Sequence, residues 1–192
     1  MEYMGNKEFW DEKFDKRGDR SLHPEKSLVD NLGVLKPGSV LELACGDGRN
    51  TLFLASCGYD VTAIDFSEKA LERLVRFLKQ EKLSSTTMQI DLSKDHALDG
   101  IGTYDNVVIN HYRLSEHQLA KLAKNLTENG ILFVCGFGDK HQVDDRIRKN
   151  DLIQPSDFDQ LKGTFDLVKQ DTVEDERGYI VTYIFMKTGT RP

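Results

Sequence analysis

The chain has 192 residues, 39% of them apolar and 30% charged, with a formal net charge of −6 at pH 7. That length suits one buried core rather than two independent domains, and charges of both signs are too evenly interspersed for a disordered acidic tail. The acidic balance weighs against nonspecific nucleic-acid binding, which needs a surplus of Lys and Arg, and no run approaches the roughly 18 consecutive apolar residues of a spanning helix.

The elements follow in chain order. The polar start MEYMGNKEFWDEK lacks the apolar stretch of a signal peptide, so a cytoplasmic location and no membrane association are expected. NKEFWDEKFDKRG, with Phe9, Trp10 and Phe14 on one side, predicts an amphipathic helix ahead of the first strand. SVLELA (39–44) follows a Lys36-Pro37-Gly38 turn signal and reads as a buried strand that ends in the glycines of CGDG. A helix should begin near Gly48, carry Leu52, Phe53 and Ala55 inward, and stop at Gly58. DVTAID (60–65) is a second strand. Ser67 can then cap a helix whose inward face is Leu71, Leu74, Val75 and Leu78.

TTMQID (86–91) and YDNVVIN (104–110) predict the third and fourth strands. Ser115 with Gln118 makes a capping box for a helix with Leu119, Leu122, Ala123 and Leu126 on one face, which Asn129-Gly130 should end before the strand ILFVCGF (131–137). FDLVKQ (165–170) and YIVTYIFMK (179–187) are joined by too short a polar segment for a helix and must pair antiparallel. In the last run Tyr179, Val181, Tyr183 and Phe185 share one face, with Ile180, Ile184 and Met186 on the other, so both faces should be covered. Cys45, Cys57 and Cys135 form no CxxC pair, and neither a disulfide nor a metal site is expected. The fold class is therefore α/β, a seven-stranded, mostly parallel, doubly wound sheet closed by an antiparallel hairpin.

The chemistry concentrates in LELACGDGRN (41–50), where a buried strand meets glycines and then a helix N-terminus. Glycine lets backbone approach a ligand closely, but GxG without a third glycine, Thr51 standing in its place, is a weak dinucleotide signal. Glu42 inside that strand needs a donor or a cation, because an unpaired buried carboxylate costs several kcal/mol. It can serve loop amides, or it can anchor the ammonium of a zwitterionic ligand. Asp65 at the second strand tip is placed to accept ribose hydroxyls, and Phe66 beside it can lie on adenine. Asp91 at the third tip can accept from an adenine amino group, and Leu92 offers backbone to the ring. Each acid alone fits a turn or a cap; three on successive strand tips point to one ligand.

In these residues the chain resembles a class I S-adenosylmethionine-dependent methyltransferase of the Rossmann-like type. The motifs are VLELACGDGRN, VTAIDFS, QIDLS, YDNVVIN and the closing hairpin, and CGDGRNTLFLASCGYDV is similar to the small-molecule branch that includes tellurite-resistance-type methyltransferases. The resemblance implies S-adenosylmethionine as cofactor and S-adenosylhomocysteine as product. It places Glu42, Ala44, Cys45, Gly46, Gly48, Arg49 and Asn50 around the methionine portion, Asp65 on ribose, Phe66, Asp91 and Leu92 on adenine, and Asn110 beneath the sulfonium. Ala44 departs from the glycine that many members carry; its methyl group should be tolerated and narrow the loop.

The division this implies is a helical cap (1–35) in which Trp10, Phe14 and Arg17 form a lid, a cofactor-binding core (39–138), and an acceptor-side segment with the closing hairpin (139–192). His111, Tyr112 and Arg113 follow Asn110 at a strand's carboxyl end, where open α/β sheets bind ligands. His111 is the preferred base and Tyr112 its companion, although a histidine there can equally bond to backbone. His141 lies in DKHQVDDRIRK, read as a solvated loop before a pocket wall; His23, His96 and His117 read as surface residues. The expected partner is a small-molecule acceptor, in a monomer or a homodimer. RNA or protein acceptors, a nicotinamide-dependent oxidoreductase and a noncatalytic cofactor sensor remain open alternatives.

Overall fold

The computed structural model describes residues 6–144 and 147–188, so Asp145 and Arg146 of the DKHQVDDRIRK segment lie outside the described residues. Seven strands form one sheet: β1 (Ser39–Leu43), β2 (Asp60–Asp65), β3 (Thr86–Gln89), β4 (Tyr104–Asn110), β5 (Leu126–Phe137), β6 (Phe165–Asp175) and β7 (Gly178–Lys187). Their order is β3-β2-β1-β4-β5-β7-β6. The β1–β2, β1–β4, β2–β3 and β4–β5 pairs are parallel, while β7 runs antiparallel to both β5 and β6. The expected mostly parallel sheet with a reversed hairpin is thus the architecture found.

Strand side chains alternate between faces, and the core divides accordingly. Leu41, Leu43, Val107, Ile109, Leu132 and Val134 face one side with Val181, Tyr183 and Phe185, covered by Leu119 of α5 (Glu116–Lys121) and Phe158 of a 3-10 segment (Pro155–Leu161). Val40, Val61, Val108, Phe133, Ile180 and Ile184 face the other, covered by Leu28 of α2 (Lys26–Asp30) and Leu54 of α3 (Arg49–Ser56). β7 therefore alternates between two apolar layers as its sequence predicts. Among the described residues no helix is long and apolar enough to cross a membrane.

In four places the local structure differs from expectation. In α3 Leu52 is buried and Phe53 and Ala55 pack partly buried against the core as expected, but the deepest apolar residue is Leu54, which the sequence did not single out. In α4 (Glu68–Glu81) Val75 is 51% exposed and Phe77 only 3%. Its buried stripe centres on Leu74, and at about 100° per residue Val75 points a quarter-turn away. Ser67 caps α4 as expected, accepting from the Ala70 amide at 3.1 Å.

The capping box of Ser115 and Gln118 is present, yet α5 ends at Lys121 and a 3-10 turn (Leu122–Asn125) leads straight into β5. Leu126 already pairs with Tyr104, and pairing resumes at Ile131 opposite Asn106, so residues 127–130 bulge out of the ladder. Asn129 takes φ +58° in that bulge. The Asn-Gly pair shapes a strand bulge rather than a helix end, since both need the same left-handed backbone. β3 stops at Gln89, two residues short of expectation; the Ile90 amide still reaches the Asp65 carbonyl at 3.0 Å before the chain turns.

Candidate active site

β2 and β3 lie on one side of β1 and β4 lies on the other, so the strand order reverses at β1/β4 and a crevice opens at the carboxyl ends. A cavity of about 540 Å3 occupies it, within the size range of small-molecule sites. Its walls are the β1 loop (Ala44–Asp47), the tips of β2 (Asp65, Phe66), the turn after β3 (Ile90–Ser93) and the end of β4 (Asn110–Tyr112), with Trp10, Phe14 and Arg17 also in the lining.

The β1 loop folds back sharply. Ala44 has φ +53°, Gly46 +57° and Gly48 +85°. An L-residue at such an angle carries about 1–2 kcal/mol of strain, which is the cost of Ala44 over glycine. A Cβ on Gly46 would stand 3.2 Å from Phe14 Cζ, so the bare backbone admits that ring. Gly48, by contrast, makes room for Leu74 of α4 and does not line the cavity.

Asp65 is buried, accepting from the amides of Gly46 at 2.8 Å and Ser67 at 2.9 Å. Burial raises its pKa against those bonds, and a carboxylate's roughly four acceptor positions leave capacity for ligand hydroxyls. Asp91 accepts from the Ser93 amide at 2.9 Å; its desolvation is outweighed by Ser93 and Lys94, which hold its pKa below the usual range. Tyr112 lines the cavity near both acids, and burial, followed by the charges of Asp91 and Asp65, pushes its phenol up to about 12.

Of the residues the sequence marks for the site, Trp10, Ala44, Cys45, Gly46, Arg49, Asp65, Phe66, Asp91, Leu92, Asn110, His111 and Tyr112 line this one cavity. Glu42, Gly48 and Asn50 do not. Glu42 is 2% exposed and accepts from the Thr51 hydroxyl, and burial lifts its carboxyl to about 7 against the bonds from Thr51 and Asn50. Thr51, a helix hydroxyl, donates where the sequence suggested loop amides or a ligand ammonium. Arg113 is also turned elsewhere: its Nε donates to Asp157 at 2.7 Å and Nη1 to the Asn150 carbonyl at 3.0 Å. His141 accepts from the Tyr179 amide at 3.2 Å and packs on Phe137 at 4.3 Å between ring centroids, so it is a packed residue and not a solvated one.

Two buried acids that organise the site have no assigned role in the sequence reading. Asp47 accepts from Arg17 Nη1 at 2.9 Å and from Arg73 Nε at 3.2 Å. Arg73 also donates to the carbonyls of Arg17 at 2.9 Å and Gly18 at 2.7 Å, which fastens the end of α1 (Lys7–Asp15) to α4. Asp11 adds a bond from Ser67 Oγ at 2.6 Å, and Arg17 lies 4.8 Å over the Phe14 ring. Together these contacts hold α1 against the cavity.

Glu25, ahead of α2 and 1% exposed, accepts from Arg49 Nη2 at 2.9 Å, His111 Nε2 at 3.1 Å and Arg177 Nη1 at 2.9 Å. Burial works to raise its pKa, but His111, Arg177 and Arg49 hold it near 2. Its own amide donates to Asn50 Oδ1 at 2.8 Å, which explains why Asn50 faces away from the cavity. Sequence offered no local signal for a contact between residues 25 and 177; Asp47 at least stands within the glycine motif.

The fit of a zwitterionic sulfonium nucleoside rests on one orphan atom as well as on the acids. Asn110 Oδ1 is buried in the cavity wall with no hydrogen-bond partner among the described residues. A lone acceptor there costs about 1–3 kcal/mol and would be satisfied by an ammonium.

Comparison with known proteins agrees with this geometry. The family described as Tellurite resistance protein TehB matches residues 2–132. A "Probable S-adenosyl-L-methionine-dependent methyltransferase TehB" of Haemophilus influenzae is 29% identical over 102 residues, which cover 53% of this chain and 35% of that protein, so the match spans about a third of the relative. The crystal structure of TehB from Haemophilus influenzae superposes with a TM-score of 0.71 at 19% identity, over 93% of this chain and 67% of that one. The N-methyltransferase NodS from Bradyrhizobium japonicum, in complex with S-adenosyl-L-homocysteine, gives a TM-score of 0.75 at 14% identity, over 95% and 98% of the two chains. Those two structures carry the fold, and the match over residues 2–132 carries the family: the chain belongs to the TehB family.

Proposed function

We propose that the protein is an S-adenosylmethionine-dependent methyltransferase acting on a small-molecule acceptor. The observation that carries this reading is that Asp65 at the tip of β2 and Asp91 in the turn after β3 share one cavity with Asn110, His111 and Tyr112. Asp65 accepts from the ribose hydroxyls, Phe66 and Leu92 flank adenine, Asp91 accepts from its amino group, and Asn110 Oδ1 takes the ammonium of the amino-acid portion. When bound, S-adenosylmethionine supplies a methyl group on a sulfonium, whose displacement needs alignment rather than an anion hole. The chain's part is to orient the acceptor and exclude water, and Trp10, Phe14 and Arg17 serve as the cover. For an acceptor that loses a proton, His111 receives it; an oxyanion or a thiolate needs no base.

A small acceptor is favoured over RNA or protein because α1 is tied down over the cavity by the Asp47–Arg73 and Asp11–Ser67 contacts. The test is calorimetry with S-adenosylhomocysteine, S-adenosylmethionine and NAD. Binding of the first two but not NAD is expected, and equal NAD binding would overturn the assignment. A screen of thiols, amines, phenols and metalloid oxyanions, tellurite included, with S-adenosylhomocysteine detection then identifies the acceptor.

A further inference from the structure

Glu25 stands outside the cavity, yet all three side chains that bond its carboxylate are cavity residues from separate elements: Arg49 from the start of α3, His111 from the end of β4 and Arg177 from the β6–β7 turn. An ionised carboxylate can only accept hydrogen bonds. The hydrogen between it and His111 therefore sits on the imidazole Nε2, and in a neutral imidazole the other nitrogen is then the acceptor. Nδ1 has no hydrogen-bond partner among the described residues, so no second contact opposes this choice. The ring is held further by the Phe137 ring, 4.9 Å away between centroids, and by the His111 amide donating to the Cys135 carbonyl at 2.7 Å.

We infer that Glu25 is a positioning residue of this cavity wall: its carboxylate fixes His111 as the Nε2–H tautomer and holds the Arg49 and Arg177 guanidinium groups in place. This rests on the methyltransferase reading and deepens it. Nδ1 is then the ring nitrogen left with a lone pair, and it is buried in the ligand-free chain; the Glu25 carboxylate orients the ring and balances any imidazolium formed on it. Arg177 contributes the hairpin's share of the wall, but the tautomer depends on Glu25 alone.

The test needs no acceptor. Long-range 1H–15N spectra of the imidazoles are recorded on the full labelled chain at about pH 8.5, roughly two pH units above the unperturbed imidazole range, with and without S-adenosylhomocysteine. His111→Asn assigns the resonance among the five histidines. The wild type is expected to show His111 with a protonated Nε2 and a pyridine-like Nδ1. Glu25→Ala should lose that single tautomer for a mixture, whereas Arg177→Ala should retain it, a contrast that a merely structural cluster would not produce. An Nδ1–H tautomer in the wild type, or the same response in both variants, overturns the inference. Should Glu25→Ala fail to fold, the wild-type and Arg177→Ala spectra decide. Calorimetry on the same wild-type sample separates the two claims: absent S-adenosylhomocysteine binding sinks the proposed function and leaves the tautomer result standing.

Discussion

Replacing Glu42 with glutamine should make the ligand-free protein relatively more stable as pH rises. The native carboxyl titrates near 7 instead of 4.5 because burial disfavours its charge more than Thr51 and Asn50 support it. The folded state therefore keeps a proton that the unfolded chain releases, and between those two values wild-type stability falls with rising pH. At about 1.36 kcal/mol per tenfold change in proton affinity the whole span is about 3.4 kcal/mol, of which about 2.5 kcal/mol falls between about pH 5 and about pH 8. The substituted amide keeps an oxygen to accept from Thr51 and has no charge to desolvate. Urea unfolding of both proteins at the two pH values is the assay, and subtracting wild type from variant cancels the other titrating groups. Glu42→Gln is expected to gain about 2.5 kcal/mol on wild type between them. A difference that stays flat, or that moves the other way, would refute the assignment of Glu42 as a carboxyl whose burial outweighs its supporting contacts.

Asp65→Ala should lose about 1.5–3 kcal/mol of S-adenosylhomocysteine affinity by calorimetry, the value of charged hydrogen bonds to ribose; undiminished binding would remove Asp65 from the site. Trp10 is the chain's single tryptophan and lines the cavity, so its fluorescence should change on adding S-adenosylhomocysteine and stay constant with NAD. An unresponsive Trp10 alongside calorimetric binding would show that α1 does not cover the ligand. Arg73→Ala leaves Asp47 with Arg17 alone and frees two carbonyls of the α1 exit, so a loss of about 3 kcal/mol in thermal or urea unfolding is expected. A loss under about 1 kcal/mol would mean that solvent replaces those bonds.

Much of this molecule was legible because its signals are local. Strand alternation in YIVTYIFMK named both faces of β7, Ser67 and Ser115 marked the starts of α4 and α5, and the acids at 65 and 91 sit at the end of β2 and in the turn after β3, where an open parallel sheet exposes its crevice. Errors arose where one local signal serves two structures: Asn129-Gly130 suits a helix end and a strand bulge alike, and pairing with β4 made the choice. Val75 keeps helical spacing with Leu71, yet the sheet's position put the centre of the buried stripe at Leu74.

The amino-acid order by itself determined the strands, their reversal at the hairpin and the acidic tips, since period and turn chemistry act over a few residues. Only the tertiary structure decided that Glu42 is withdrawn from the cavity, that Arg113 turns to Asp157, and that Glu25 gathers Arg49, His111 and Arg177. A buried carboxylate selects partners by distance in space, and residues 25, 49, 111 and 177 become neighbours only once the sheet has brought their loops to one edge.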